Sequence, residues 1–135
     1  MTALYGIFGS GGFAREIMPI AKQSIENDLK DRSYELVFVS IEPDVDEING
    51  YEVLTEKQFF NKNIKDKYFN ISIGDPKKRR NLALKLFDEK ALKPFSIFSE
   101  NTIILDANKI NVGAIFCPFT TITSNIEIGK FFQAN

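Results

Sequence analysis

A chain of 135 residues is long enough for one compact domain and a little more, and 44% hydrophobic with 26% charged residues is a globular composition. A net charge of −1 gives no whole-molecule field for nucleic acid or an anionic membrane, and neither partner is expected. The single cysteine, Cys117, excludes an internal disulfide and fits a reducing cytoplasm, while the lack of histidine excludes His-ligated zinc, Ser-His or Cys-His nucleophiles and histidine general bases within this chain.

The opening MTALYGIFGSGG has no basic leader and its apolar stretch is broken by glycines, so no signal peptide is expected; no apolar run nears the roughly 20 residues of a membrane span. Leu4 to Phe8 reads as a buried parallel strand ending in a glycine cluster. A helix follows to about Leu29, with Phe13, Ile17, Ile20 and Ala21 on one face, and Pro19 is expected to kink it or displace its first regular turn. Tyr34 to Ser40 reads as a second buried strand, followed by an acidic loop from Glu42 to Glu47. Asn49-Gly50 marks a turn, and Tyr51 to Leu54 a short edge strand. Thr55 and Gln58 make a capping box for a short helix around Phe59 and Phe60.

Lys67 to Ile73 is a third strand. It leads into Gly74, Asp75 as N-cap and Pro76 at the first helical position, opening a helix that ends near Glu89. Leu82 with Leu86, and Ala83 with Phe87, form its apolar face. Phe95 to Phe98 reads as a fourth extended segment. Strand–helix alternation over the first ~95 residues predicts a small open parallel sheet covered by helices.

From Ile104 the period changes to six: Ile104, Ile110, Phe116, Ile122, Ile128 and Ala134 fall in register. A helix repeats at 3.6 and a flat strand at 2, so neither accounts for this ladder. A coil that turns a corner every six residues does, as in a hexapeptide-repeat parallel β-helix. The fold class read from the sequence is therefore α/β: a small Rossmann-like parallel sheet with flanking helices, followed by the first coils of a left-handed parallel β-helix. The expected units are 1–98, the ligand-binding part, and 99–135, the incomplete β-helix. With no Ser- or Gly-rich linker between them, the two are expected to pack together.

Gly9-Ser10-Gly11-Gly12-Phe13-Ala14 matches G-x-G-x-x-[GA] between a strand and a helix. The first glycine permits the tight turn, the second lets a ligand approach the backbone, and the small last residue allows close helix–strand packing. Unpaired N–H groups of the helix N-terminus then face an anion. The motif fits a dinucleotide or a nucleotide-sugar, both of which carry a pyrophosphate. Glu42, Asp44 and Asp46 occupy the place of a ribose-binding carboxylate, or form a solvated loop. Lys77, Lys78, Arg79 and Arg80 crowd a helix N-terminus, where cations are disfavoured by roughly 0.3–1 kcal/mol each. They suggest an anion nearby, or a solvated basic face offset by Asp75. Cys117 reads as a small buried or corner residue.

Together these segments resemble a known family. Tyr5 through Glu16 is similar to the N-terminal signature of the sialic-acid O-acetyltransferase and bacillosamine N-acetyltransferase group. Ile48 through Leu54 resembles its second landmark. Ile71 through Asp75, with Arg79 and Arg80, resembles its third, and Ile110-Asn111-Val112-Gly113 through Ile128-Gly129 its opening hexapeptide repeats. The resemblance implies a nucleotide-sugar-binding Rossmann-like domain, usually for a UDP-linked sugar. It also implies a trimeric β-helix that binds acetyl-CoA between subunits and carries a histidine general base, so that the sugar amine or hydroxyl attacks the thioester directly. By position it implies a phosphate cradle of Gly9, Gly11, Gly12 and Phe13, with Asp44, Gly74 and Asp75 around the nucleotide; Ser10 and Arg79 complete the expected substrate-binding set. Phe13 stands where many relatives carry histidine.

The chain is expected to bind a UDP-linked amino sugar without a metal. It is expected to stop short of the coil bearing the base and the acetyl-CoA site, and so not to transfer acetyl alone. Two other readings remain: an NAD- or CoA-binding Rossmann module, and a non-catalytic scaffold that self-associates through its open coil end.

Overall fold

In the computed structural model, which describes residues 2–29 and 32–134, the sheet is organised around β1 (Thr2–Phe8). β2 (Ser33–Val39) and β5 (Asp66–Ile71) run parallel to β1 on its two sides. A strand covered on both faces must be apolar on both, which is why Ala3, Leu4, Tyr5, Ile7 and Phe8 are all buried. Outside β2 lie β4 (Tyr51–Leu54), parallel, and β3 (Glu47–Ile48), antiparallel; outside β5 lies β6 (Lys93–Pro94), parallel. The order is β3-β4-β2-β1-β5-β6.

β3 uses the end of the predicted acidic loop. Asn49 and Gly50 both have positive φ (52° and 86°), the conformation of a two-residue hairpin turn, so the turn closes β3 onto β4. The predicted segment Phe95 to Phe98 is divided: the Phe95 N–H still donates to the Phe69 carbonyl beside β6, whereas Ile97–Phe98 leaves the sheet.

α1 (Gly12–Asp28) covers one face through Ala14, Ile17, Met18, Ala21 and Ile25. It continues through Pro19 as one helix, with the ring on its exposed side. α2 (Glu56–Asn61) and α3 (Pro76–Ala83) cover the other face. The capping box of α2 is formed, with the Gln58 N–H donating to Thr55 Oγ1 (3.1 Å) and the Thr55 N–H to Gln58 Oε1 (2.9 Å). Asp75 caps α3, which widens into a π-helical segment over Leu84–Glu89 that buries Leu86. Gly6 of β1 is required by α2, because a Cβ there would lie 2.6 Å from the Phe59 ring.

The period-six ladder forms triangular coils, the start of a left-handed parallel β-helix. Short strands repeat every 18 residues: β7 (Ile97–Phe98), β10 (Ile115–Phe116) and β13 (Gln133–Ala134) stack on one side. β8 (Ile103–Ile104) stacks with β11 (Thr121–Ile122) on the second, and β9 (Lys109–Ile110) with β12 (Glu127–Ile128) on the third. The first rung is Ile97–Phe98, one hexad before the predicted start of the ladder. Phe98 stacks on Phe116 inside the coil (5.3 Å between centroids), with Ala114 and Ile128 completing the buried interior.

Positive φ recurs at Ala107, Gly113, Phe119, Asn125 and Phe131, again every six residues, and these are the corners. Ile97 and Ile115 join the core beneath α1, and Phe131 joins the core beneath α3. The coils are thus packed against both sides of the sheet. Met1 and Asn135, the outer ends of the two units expected from the sequence, lie outside the described residues.

Candidate functional site

β1 is followed in the chain by β2 on one side, while β5 joins it on the other, so the connections leaving β1 and β5 diverge. In an open parallel sheet the crevice at such a switch point, beyond the carboxyl ends of the strands, is where ligands sit. Gly9 to Phe13 leaves β1 there, and Ser72 to Asp75 leaves β5 beside it.

The two loops are joined by backbone. The Ser72 N–H donates to the Phe8 carbonyl (3.0 Å), and the Gly9 N–H to the Val39 carbonyl (2.8 Å) at the end of β2. Gly9 has φ +131°, and a Cβ on it would fall 2.8 Å from the Ser72 carbonyl oxygen, so glycine is demanded on both counts. Gly11 and Gly12 meet nothing within 4 Å of an added Cβ; they face open space where a ligand's phosphates could approach.

Gly11 is the N-cap of α1 and provides no side-chain cap, so the first-turn N–H groups are not satisfied by a capping side chain. The first turn also carries no acidic residue. Donors and dipole together favour an anion at this point. Phe13, half-buried, packs against the core under α1. Ser10 Oγ donates to Ser40 Oγ (3.3 Å), tying the glycine loop to the end of β2. A cleft of about 280 Å³ runs along this edge past Gly9, Ser40, Ile41 and Ile73 to the Lys85–Glu56 ion pair (3.0 Å).

The remaining predicted residues fall on the same edge with different tasks. Asp44 is exposed in the loop beyond β2, as are Glu42 and Asp46. Gly74 is exposed. The Asp75 carboxylate accepts from the N–H groups of Lys77 (2.9 Å) and Lys78 (3.3 Å), so it is engaged as a helix cap. Lys77, Lys78 and Arg80 are exposed, whereas Arg79 is half-buried and turned inward. Its Nη1 donates to the carbonyls of Ile73 (3.0 Å) and Gly74 (3.3 Å) and to Gln133 Oε1 (3.2 Å). Gln133 Nε2 in turn donates to the Ile71 carbonyl (2.6 Å). Arg79 therefore holds the β5 loop against the third coil.

Sequence reading did not single out Ser40, Ser72 or Gln133. The available signal for the two serines was position, since each directly follows a strand of the parallel sheet. Cys117 is half-buried; burial, and then the nearby Glu16 carboxylate, raise its thiol above the usual range, the opposite of an activated nucleophile. Among the described residues, no group of three or more acidic, Cys or His side chains is arranged to hold a metal ion, and no helix is long and apolar enough to cross a membrane.

The family described as the PglD N-terminal domain matches residues 6–86. The GDP-perosamine N-acetyltransferase of Escherichia coli O157:H7 is 38% identical over 132 residues, covering 98% of this chain and 59% of that protein. Among solved structures, WeeI from Acinetobacter baumannii AYE superposes with a TM-score of 0.86 at 34% identity, over 100% of this chain and 61% of that one. A perosamine N-acetyltransferase from Caulobacter crescentus, solved with CoA and GDP-perosamine, shares the fold at a TM-score of 0.79 and 16% identity, over 97% of this chain and 59% of that one. The chain thus spans about three fifths of the length of these relatives.

Proposed function

Because the chain belongs to the PglD N-terminal domain family, we propose that its glycine loop binds the diphosphate of a nucleotide-linked amino sugar, as the recognition half of a sugar N-acetyltransferase. The observation that carries this reading is the open, uncapped N-terminus of α1 behind Gly9–Gly12, at the switch point of the sheet. In this reading Gly9, Ser10, Gly11, Gly12 and Phe13 surround the phosphates. Gly74 and Asp75 border the crevice, Arg79 keeps their loop in place, and Asp44 reaches the nucleoside. The units 1–98 and 99–135 divide the work, the first holding the sugar nucleotide and the second presenting it to acetyl-transfer machinery.

The family resemblance implies a UDP-linked sugar, while the 38%-identical relative is named for a GDP-linked one. Calorimetry with UDP- and GDP-linked amino sugars decides between them. Saturable binding of one is the expected result, and no binding of either up to millimolar ligand overturns the reading. Saturation by NADH instead would select the dinucleotide alternative.

Acetyl-CoA is the acyl donor this reading implies. The chain holds no histidine to deprotonate the sugar amine, so we expect no thiol release from acetyl-CoA by these 135 residues alone. Robust turnover would identify another base. A cytoplasmic setting and a trimer of the complete enzyme belong to the same reading; the mass of this chain in solution tests association.

A further inference from the structure

Ser72 follows the last residue of β5 and is 5% exposed, yet its hydroxyl has no hydrogen-bond partner among the described residues. A buried hydroxyl without a partner calls for an explanation, because desolvation is normally repaid by a hydrogen bond. Its direction follows from strand alternation. Phe69, Ile71 and Ile73 point into the core shared with α2 and α3, so Ser72, like Tyr68 and Asn70, points to the α1 face. Its N–H is bonded to Phe8, and its carbonyl lies against Gly9. The hydroxyl therefore faces the side of the sheet on which α1 begins with its N–H groups uncapped, one strand over from the first glycine of the loop.

We propose that Ser72 contacts the ligand, donating its O–H to an oxygen of the nucleotide sugar's diphosphate and so completing the cradle formed by the glycine loop. This rests on the nucleotide-sugar reading above and adds to it a side chain that discriminates ligands bearing a diphosphate. The N–H groups of α1 supply field and backbone donors, and Ser72 supplies a donor from the neighbouring strand.

The test compares the wild-type chain with Ser72→Ala, by calorimetry with UDP and GDP and by thermal melting without ligand. The expected result is roughly tenfold weaker binding of whichever nucleotide the wild type takes, the scale of a hydrogen bond to a charged group. Melting of the ligand-free variant should be unchanged or higher, since an unpaired buried hydroxyl has been removed. Equal affinity in both proteins overturns the role of Ser72 and leaves the nucleotide reading standing. A clearly lower melting temperature also overturns it, by showing that the hydroxyl is satisfied inside the protein. If the wild type binds neither nucleotide, the nucleotide-sugar reading falls, and this inference with it.

Discussion

Ala107, Gly113, Phe119, Asn125 and Phe131 share a left-handed backbone at one-hexad spacing, and their different side chains show what a corner requires. For an L-residue with a Cβ this conformation is disfavoured by roughly 1–2 kcal/mol, with glycine and asparagine the usual exceptions. Gly113 has a second reason to be glycine, since its missing Cβ would sit 2.4 Å from the Phe131 ring one coil later. Phe131 in turn recovers its strain by packing, stacked on Phe69 (5.6 Å) and edge-on to Phe87 (6.2 Å). Phe119 has no such return, being 83% exposed. Two substitutions at equivalent corners should therefore act oppositely. Gly113→Ala is expected to lose about 2 kcal/mol from strain and overpacking. Phe119→Asn is expected to gain roughly 0.5–1 kcal/mol. Urea unfolding of both variants measures this, and a stability loss in Phe119→Asn would mean that the exposed ring has a structural partner.

At the scale of elements, one carboxylate fastens the amino ends of three strands. Asp66 opens β5 and is bound by Arg32, just before β2, and by Lys93 at the start of β6 (3.0 Å). The hydrogen bond from Arg32, and then that from Lys93, hold the Asp66 carboxyl below its ordinary range. A carboxylate whose value is depressed on folding contributes fully above the unfolded value of about 3.9, and that contribution is lost as the pH falls through the lower folded value. Asp66→Asn should therefore lower the urea midpoint at pH 6–7, with the gap to wild type closing towards pH 3. A pH-independent gap would show that Asp66 acts by packing alone. This cluster was hidden in the sequence because Arg32, Asp66 and Lys93 are far apart in the chain and meet only through strand order. By contrast, the glycine loop, the Thr55–Gln58 box and the Asp75-Pro76 helix start were legible, since each is a local pattern with one physical meaning. The corners were half legible: glycine and asparagine announce a left-handed backbone, but alanine and phenylalanine do not. Arg79 shows the same limit, because crowding of cations can be read from sequence, whereas the direction of one long side chain cannot.

For the molecule as a whole, the coils are joined to the sheet by both apolar and polar contacts. The Asn70 side chain, 1% exposed, donates to the carbonyls of Phe95 (2.7 Å) and Gly113 (3.2 Å), so a strand residue is bound to a coil corner. Phe98 N–H donates to Ser24 Oγ of α1 (3.2 Å), Gln133 reaches Ile71, and Phe131 enters the core beneath α3. The sequence suggested such packing only through the lack of a linker; the residues that make it carry no local signature of a partner some 40–70 positions away. Two units sharing this many buried groups should unfold together. Phe131→Ala removes a ring from the joint and is expected to lose about 3 kcal/mol, the lower part of the range for a buried phenylalanine. The loss should appear in both parts at once. Hydrogen exchange should show the protected amides of β1 and β2 losing protection in parallel with those of Ile115 and Cys117, which donate along the coil stack to the Phe132 and Ala134 carbonyls. If only the coil amides were released, the joint would be a contact between independently stable parts, and the hold of Gln133 and Arg79 on the β5 loop would be too weak to shape the crevice.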